Sequence, residues 1–317
     1  MSVNKIQSIA VVGAGAVGCF FGGLLARAGY AVTLIGRPAH VDAIKQHGLR
    51  MECLSFDEYV PVQASTQIQD VVSADLVLVC VKSLDTKSCA IKLEKYLKPD
   101  ALVLSLQNGI ENTEILQKYL NQSCYPAVVY VACSMPGSGH VKHFGRGELL
   151  IGDLLKNKDS QVELTMISEK LIQGHIPTTI SEDIKTALWS KFLVNCTHNA
   201  ISAIAQISYS EMAKIPSVNK LIEALTKEFL QVAKHEGVKI SFEQAMLMNQ
   251  QIAITMPHQK SSTAQDLDRQ KPTEIDYLNG LIVRKGHEYG IPTPHHDIVL
   301  TLVNLIEINQ KNKSSTH

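Results

Sequence analysis

Aromatic residues make up only 5% of the 317 positions, with a single Trp. That leaves little material for a surface that stacks nucleic-acid bases. An excess of either charge is also missing. Thirty Lys and Arg stand against thirty Asp and Glu, so the chain has no basic surplus to suggest a nucleic-acid or anionic-membrane partner. The seven cysteines, at 19, 53, 80, 89, 124, 133 and 196, include no Cys-x-x-Cys pair. An odd, scattered set fits reduced thiols in a cytosol better than a disulfide framework, and it offers no zinc site. A cytoplasmic location is therefore expected. Long apolar runs are absent as well. The stretch "SIAVVGAGAVGCFFGGLLARAGYAV" is interrupted by glycines and lacks a clean span of about 18 residues. It is not read as a signal peptide either, because it runs directly into a motif that uses its glycines otherwise.

What is present is a 45% hydrophobic chain, long enough for two domains with separate cores. In the first half, apolar strands ("SIAVVG", "AVTLIG", "DLVLVCVK", "ALVLSLQNG", "AVVYVACS") alternate with helical segments. This pattern signals a parallel sheet covered on both faces. Residues 137–153 read instead as a Gly-punctuated antiparallel hairpin. From Ser181, a candidate N-cap followed by Glu182 and Asp183, helical periods dominate: 182–206, 217–236, 241–256, 272–289 and 295–310. The expected architecture is an α/β Rossmann-type dinucleotide-binding domain over 1–180 and an all-α domain over 181–317.

Gly13-Ala14-Gly15-Ala16-Val17-Gly18 follows the first strand and opens a helix. A bare G-x-G-x-x-G is weak, but strand, turn and helix in register make it a dinucleotide fingerprint. Gly13 permits the turn, Gly15 lets the backbone approach a pyrophosphate, and Gly18 lets helix and strand pack. The bland alternative is a flexible loop. The second strand ends in "TLIGRPAH", without the acid that reads a ribose 2′-hydroxyl. Arg37 could pair with a 2′-phosphate, or it could be an ordinary surface cation. NADP(H) is the cofactor expected.

Two polar groups sit at the ends of later strands, where ligands of such sheets bind: Lys82-Ser83 and Gln107-Asn108-Gly109. Either could also be routine turn chemistry. In "WSKFLVNCTHN", Lys191, Asn195 and Asn199 recur at steps of four, with His198 and Ser202 beside them. On a helix these lie one above another. Ala187, Leu188, Phe192, Leu193, Val194, Ile201 and Ile204 make the rest of that helix apolar, so the polar row is narrow. The segment 260–280 gathers Ser261, Ser262, Asp266, Asp268, Glu274 and Asp276. Pro272-Thr273-Glu274 resembles a helix start, and a solvated helix end would account for the acids equally well.

Taken together, "GAGAVG", "VCVKS", "LQNGI", "ALWSKFLVNCTHNAISA" and "SSTAQDLDRQKPTEIDYLNG" resemble the 2-dehydropantoate 2-reductase (ketopantoate reductase) family of the pantothenate pathway to coenzyme A. The likeness runs over nearly the whole chain in order. It implies that Lys191 is the catalytic general acid and that Glu274 holds substrate hydroxyl groups. It also implies that Asn108, Asn195, Asn199 and Ser262 contact substrate, with Lys82 and Asn108 near the nicotinamide and Arg37 reading the 2′-phosphate. Two positions depart from the pattern. Gln259 stands where some members carry Asn, and His198 stands where an uncharged residue is expected. The implied reaction is NADPH-dependent reduction of 2-dehydropantoate to (R)-pantoate. A paralogue acting on another 2-keto acid or an opine-type imine is the first alternative, and a non-catalytic NADPH-binding redox sensor is the second. The partner expected is a small 2-keto acid, with a homodimer left open, and neither nucleic acid nor membrane.

Overall fold

The strand "SIAVV" forms as read: β1 (Ser8–Val12) is an interior strand of a sheet in a computed structural model that describes residues 6–155, 157 and 160–314. Alternate side chains of a strand point to opposite faces. Accordingly Ile9 and Val11 join one apolar cluster, while Ala10 and Val12 join another. The chain forms two compact units, Met1–Ile184 and Lys185–His317.

In the first unit β1 is followed by α1 (Ala16–Arg27), β2 (Ala31–Ile35), α2 (Pro38–His47), β3 (Leu49–Glu52), β4 (Asp57–Val60) and β5 (Gln63–Ser65). Then come β6 (Leu76–Val79), α3 (Thr86–Leu93), β7 (Leu102–Ser105), α4 (Asn112–Tyr119), β8 (Cys124–Gly137), β9 (His140–Ile151), α5 (Ser160–Gln173) and β10 (Thr178–Ile180). The sheet order is β4-β3-β9-β8-β7-β6-β1-β2-β5, with β10 on β9. From β5 through β2, β1, β6 and β7 to β8 all pairs are parallel. β6 and β7 are buried at every position, as strands covered on both faces must be. The order reverses at β1, with β2 on one side and β6 on the other, and such a switch point is where these sheets bind ligands.

The sheet is mixed rather than wholly parallel. β8 has 14 residues against four in β7. Only its first three pair with β7, and the remainder turns with β9 into an antiparallel hairpin carrying register shifts. β3 and β4 add a second antiparallel pair beyond β9.

The second unit is helical: α6 (Ile184–Ala205), α7 (Tyr209–Ala213), α8 (Pro216–His235), α9 (Phe242–Thr255), α10 (Ser262–Asp268), α11 (Asn279–Tyr289) and α12 (Pro294–Ser314). Phe229 of α8 meets Trp189 of α6 edge-on and Phe192 at a tilt, with ring centroids 5.6 and 5.4 Å apart. Such contacts join the two helices through area and quadrupole geometry together. Two expected helix starts move. Ser181 still donates its N–H to the Ile151 carbonyl of the sheet, 2.8 Å, so α6 begins only at Ile184 and Ser181 caps a preceding turn. Pro272 does not open a helix, because the Thr273 N–H and hydroxyl both bind Glu307 of α12. A short three-ten turn, Ile275–Tyr277, intervenes before α11. Among the described residues no helix is long and apolar enough to cross a membrane.

Candidate active site

The glycine turn is built by backbone. Gly13 has φ +110, and the Gly13 and Ala14 N–H groups both donate to the Ile35 carbonyl at 2.9 and 3.0 Å. A Cβ on Gly13 would lie 2.6 Å from the Cys80 carbonyl carbon, and one on Gly18 would lie 2.2 Å from the Gly13 oxygen. The fold itself demands both glycines. Gly15 is different: its φ is −89 and a Cβ there would meet nothing within 4 Å. Among the described residues nothing requires glycine at that point, and the space in front of it is open. Gly15 is also the N-cap of α1, with no side-chain cap and no acid in the first turn. Open space at a helix N-terminus without competing carboxylates suits a pyrophosphate.

Ala14, Ala16 and Val17 complete that turn, with Ala14 buried. Gly36 is a contributor that sequence reasoning passed over. Its Cβ would come within 2.5 Å of the Ala14 methyl, so only glycine lets the end of β2 close on the turn. Arg37 follows at once, exposed, as the N-cap of α2. The first turn of α2 has no acid. Lys82 and Asn108, both half-buried, follow the adjacent parallel strands β6 and β7.

In the second unit α6 carries Lys191 and Asn195, both half-buried, and Asn199, fully buried. Ser261 clips α10 to this row. Its hydroxyl donates to the Asn199 carbonyl (3.1 Å) and accepts from the Ala264 N–H (3.0 Å), while its own N–H donates to the Ser202 hydroxyl (3.1 Å). This clip puts exposed Ser262, the first residue of α10, beside the Asn199 turn. Half-buried Glu274 precedes the three-ten turn, and its carbonyl accepts the N–H groups of Tyr277 and Leu278. Buried Ile275, Leu278 and Ile282 anchor that segment in the core.

Asn279 ties the Glu274 segment to α6. Its amide donates to the Cys196 carbonyl (2.8 Å) and to His296 Nδ1 (3.0 Å). Because His296 accepts at Nδ1, its Nε2–H donates to the Leu225 carbonyl, 3.0 Å, which specifies the tautomer. The row foreseen on α6 thus divides. Ser202 is spent on the Ile207 carbonyl and the Ser261 N–H. His198 is buried against Tyr209, with Nδ1 near the Val194 carbonyl and the Thr197 hydroxyl. Burial lowers the His198 pKa to about 4 despite hydrogen bonds that oppose the shift. At neutral pH it is uncharged, so the departure it represents is one of shape and not of charge. Gln259 takes part through its backbone, accepting from Tyr209 and donating to Met256.

Residues 9–156 match the family model described as ketopantoate reductase PanE/ApbA, and residues 183–307 match the model of its C-terminal part. The chain belongs to the ketopantoate reductase family. A 2-dehydropantoate 2-reductase of Archaeoglobus fulgidus is 33% identical over 304 residues, spanning 96% of this chain and 99% of its own. The crystal structure of a PanE/ApbA family ketopantoate reductase from Ralstonia eutropha JMP134 is 47% identical, with a TM-score of 0.89, covering 96% of this chain and 99% of that one. A D-mandelate dehydrogenase solved with NADH and anilino(oxo)acetate is 28% identical at the same TM-score and coverage. Like other ketopantoate reductases, the chain is an oxidoreductase acting on a CH–OH group. The glycine turn lies within the first matched segment and the α6 row within the second.

Proposed function

We propose that this chain is an NADPH-dependent 2-dehydropantoate 2-reductase that forms (R)-pantoate, in the pantothenate route to coenzyme A. The observation that carries the reading is the α6 row: one cation and two amides on one face, with the Ser262 turn clipped onto Asn199. The glycine turn supports the dinucleotide, because Gly15 leaves space at a helix N-terminus that the fold does not need. The bound nicotinamide would supply the hydride. Lys191 would face the carbonyl oxygen, stabilise the growing negative charge and transfer a proton to it. Glu274 would accept a hydrogen bond from a substrate hydroxyl, and a site built for that bond discriminates strongly against keto acids lacking the group. Asn195, Asn199, Ser262 and Asn108 supply neutral donors for the substrate's oxygens. Lys82 would lie near the nicotinamide, and Arg37 would pair with the 2′-phosphate.

The test is NADPH oxidation with 2-dehydropantoate, with NADH as the control and a panel of 2-keto acids with and without a 4-hydroxyl group. Rates that ignore the hydroxyl would overturn the assignment. The likeness to a D-mandelate dehydrogenase solved with NADH favours one second reading, an NADH-using reductase of aryl 2-keto acids. Faster turnover of phenylglyoxylate with NADH would select it.

A further inference from the structure

The loops after β6 and β7 are joined by a buried polar net. Asn112, the first residue of α4, donates from Nδ2 to the Asn108 carbonyl (2.6 Å) and to the Ser83 hydroxyl (3.2 Å). Its Oδ1 accepts from the Thr86 hydroxyl at 2.7 Å. Ser83 donates in turn to the Asn108 carbonyl, 3.2 Å. Gln107 donates from Nε2 to the Val81 carbonyl (3.0 Å) and the Thr86 hydroxyl (2.7 Å). Ser83, Thr86, Gln107 and Asn112 are all buried.

From these contacts we infer that Asn112 is a positioning residue, which holds the Lys82 and Asn108 loops as one rigid floor for the nicotinamide end of the cofactor. The inference rests on the dinucleotide reading given above. Three observations carry it. The net brackets both residues: Val81 and Ser83 flank Lys82, and Gln107 and the Asn108 carbonyl itself are bonded on the other loop. It also closes onto the glycine turn, since the backbone of Cys80 and Val81 sits where a Gly13 Cβ would be. Finally, it is a costly way to fill space. Apolar side chains of similar shape would stabilise a buried site as well or better, whereas a fully satisfied net specifies one geometry. Asn112 is the member that no other residue could replace, because it alone both donates to Asn108 and accepts from Thr86.

The experiment compares wild type, Asn112→Ala and Ser83→Ala for three readouts: affinity for NADPH, affinity for 2′-phospho-ADP-ribose, which lacks the nicotinamide, and kcat. Misplacing a group by about 1 Å can cost about 100-fold in rate. Asn112→Ala is therefore expected to lower kcat by about tenfold or more and weaken NADPH several-fold, while leaving the fragment within about twofold of wild type. Ser83→Ala, which deletes one hydroxyl, should show the same split to a smaller degree, and it carries the test if Asn112→Ala does not fold. Parallel losses of NADPH and fragment, or an unchanged kcat, would overturn the positioning role. A wild-type protein that binds neither NADPH nor NADH would instead overturn the dinucleotide reading, and the inference with it.

Discussion

The glycine turn of the first unit and the polar row of the second are made from opposite materials. The turn is backbone, and its signature is the side chain that each position cannot carry. At Gly13 and Gly18 a Cβ would strike the protein's own main chain, whereas at Gly15 it would meet only space. The row on α6 is side chain, and its signature is period. Lys191 and Asn195 remain half-buried, while Asn199 and Ser202 are drawn inside by Ser261. One site is thus defined by exclusion and the other by presentation. They should fail differently when mutated: substitutions in the turn affect fold or dinucleotide affinity, and substitutions in the row affect the chemical step.

The largest effect is expected at Lys191. Lys191→Ala should lower turnover by about 10,000-fold, the product of about 100-fold each for the proposed proton donor and the proposed oxyanion partner. Dinucleotide affinity should stay within about twofold, because the role proposed for Lys191 is at the substrate carbonyl and not at the dinucleotide. Steady-state kinetics together with fluorescence titration of NADPH would check both halves. Retained turnover would remove the row from the chemistry.

The next test breaks the turn in two places. Gly13→Ala combines a disfavoured φ with a backbone collision at 2.6 Å and should cost roughly 2–4 kcal/mol of stability. Gly15→Ala should melt at the wild-type temperature yet bind the dinucleotide about tenfold more weakly, since the methyl occupies only the space of the pyrophosphate. Thermal melts beside binding titrations separate the two. Equal losses of stability would mean that Gly15 serves the fold after all.

Much of this contrast was legible in the sequence, though unevenly. The strand–turn–helix beginning at Ser8 and the row at steps of four both rest on strong local periods, and both elements form. The clips do not announce themselves. Ser261, Asn279 and Asn112 have partners 62, 83 and 29 residues away, beyond the reach of any local pattern. The short helices α7 and α10 are similarly quiet, because five and seven residues are too few to show a hydrophobic period. Glu307, bonded to Thr273 from 34 residues away, overrides the helix start expected at Pro272. What escaped was therefore long-range hydrogen bonding by small polar side chains, the same class of contact that holds the candidate residues in place.

The helical unit also stores a pH dependence that the turn does not. His198 and His296 are both buried, and burial lowers both pKa values. The Glu228 carboxylate opposes the shift at His296, and His295 adds to it. An unfolded histidine titrates near 6.5, so between there and about 4 the unfolded chain binds more protons than the folded one, and stability must rise with pH. The neutral-histidine contribution is complete above about pH 6.5 and is lost as the pH falls toward 4. For His198, with a folded value of about 4, that amounts to roughly 3 kcal/mol. Denaturant unfolding at a series of pH values should show this slope, and His198→Gln should reduce it by about one proton. A flat profile across that window would mean that the histidines are not kept neutral by the fold.

The smallest effect sharpens the exclusion principle at the edge of the turn. Arg37 is exposed and stands directly after Gly36, which closes on Ala14. No acid stands in the first turn of α2 to repel a 2′-phosphate. Removing the guanidinium should therefore cost only the interaction with that phosphate: Arg37→Ala is expected to weaken NADPH by about tenfold and leave NADH nearly unchanged. Arg37→Asp should go further, because a carboxylate there both repels the phosphate and can accept from a ribose hydroxyl, the arrangement that favours NAD. The ratio of kcat/KM for the two dinucleotides reads this out directly. If neither variant moves that ratio, Arg37 is a surface cation, and cofactor choice lies with residues further from the turn.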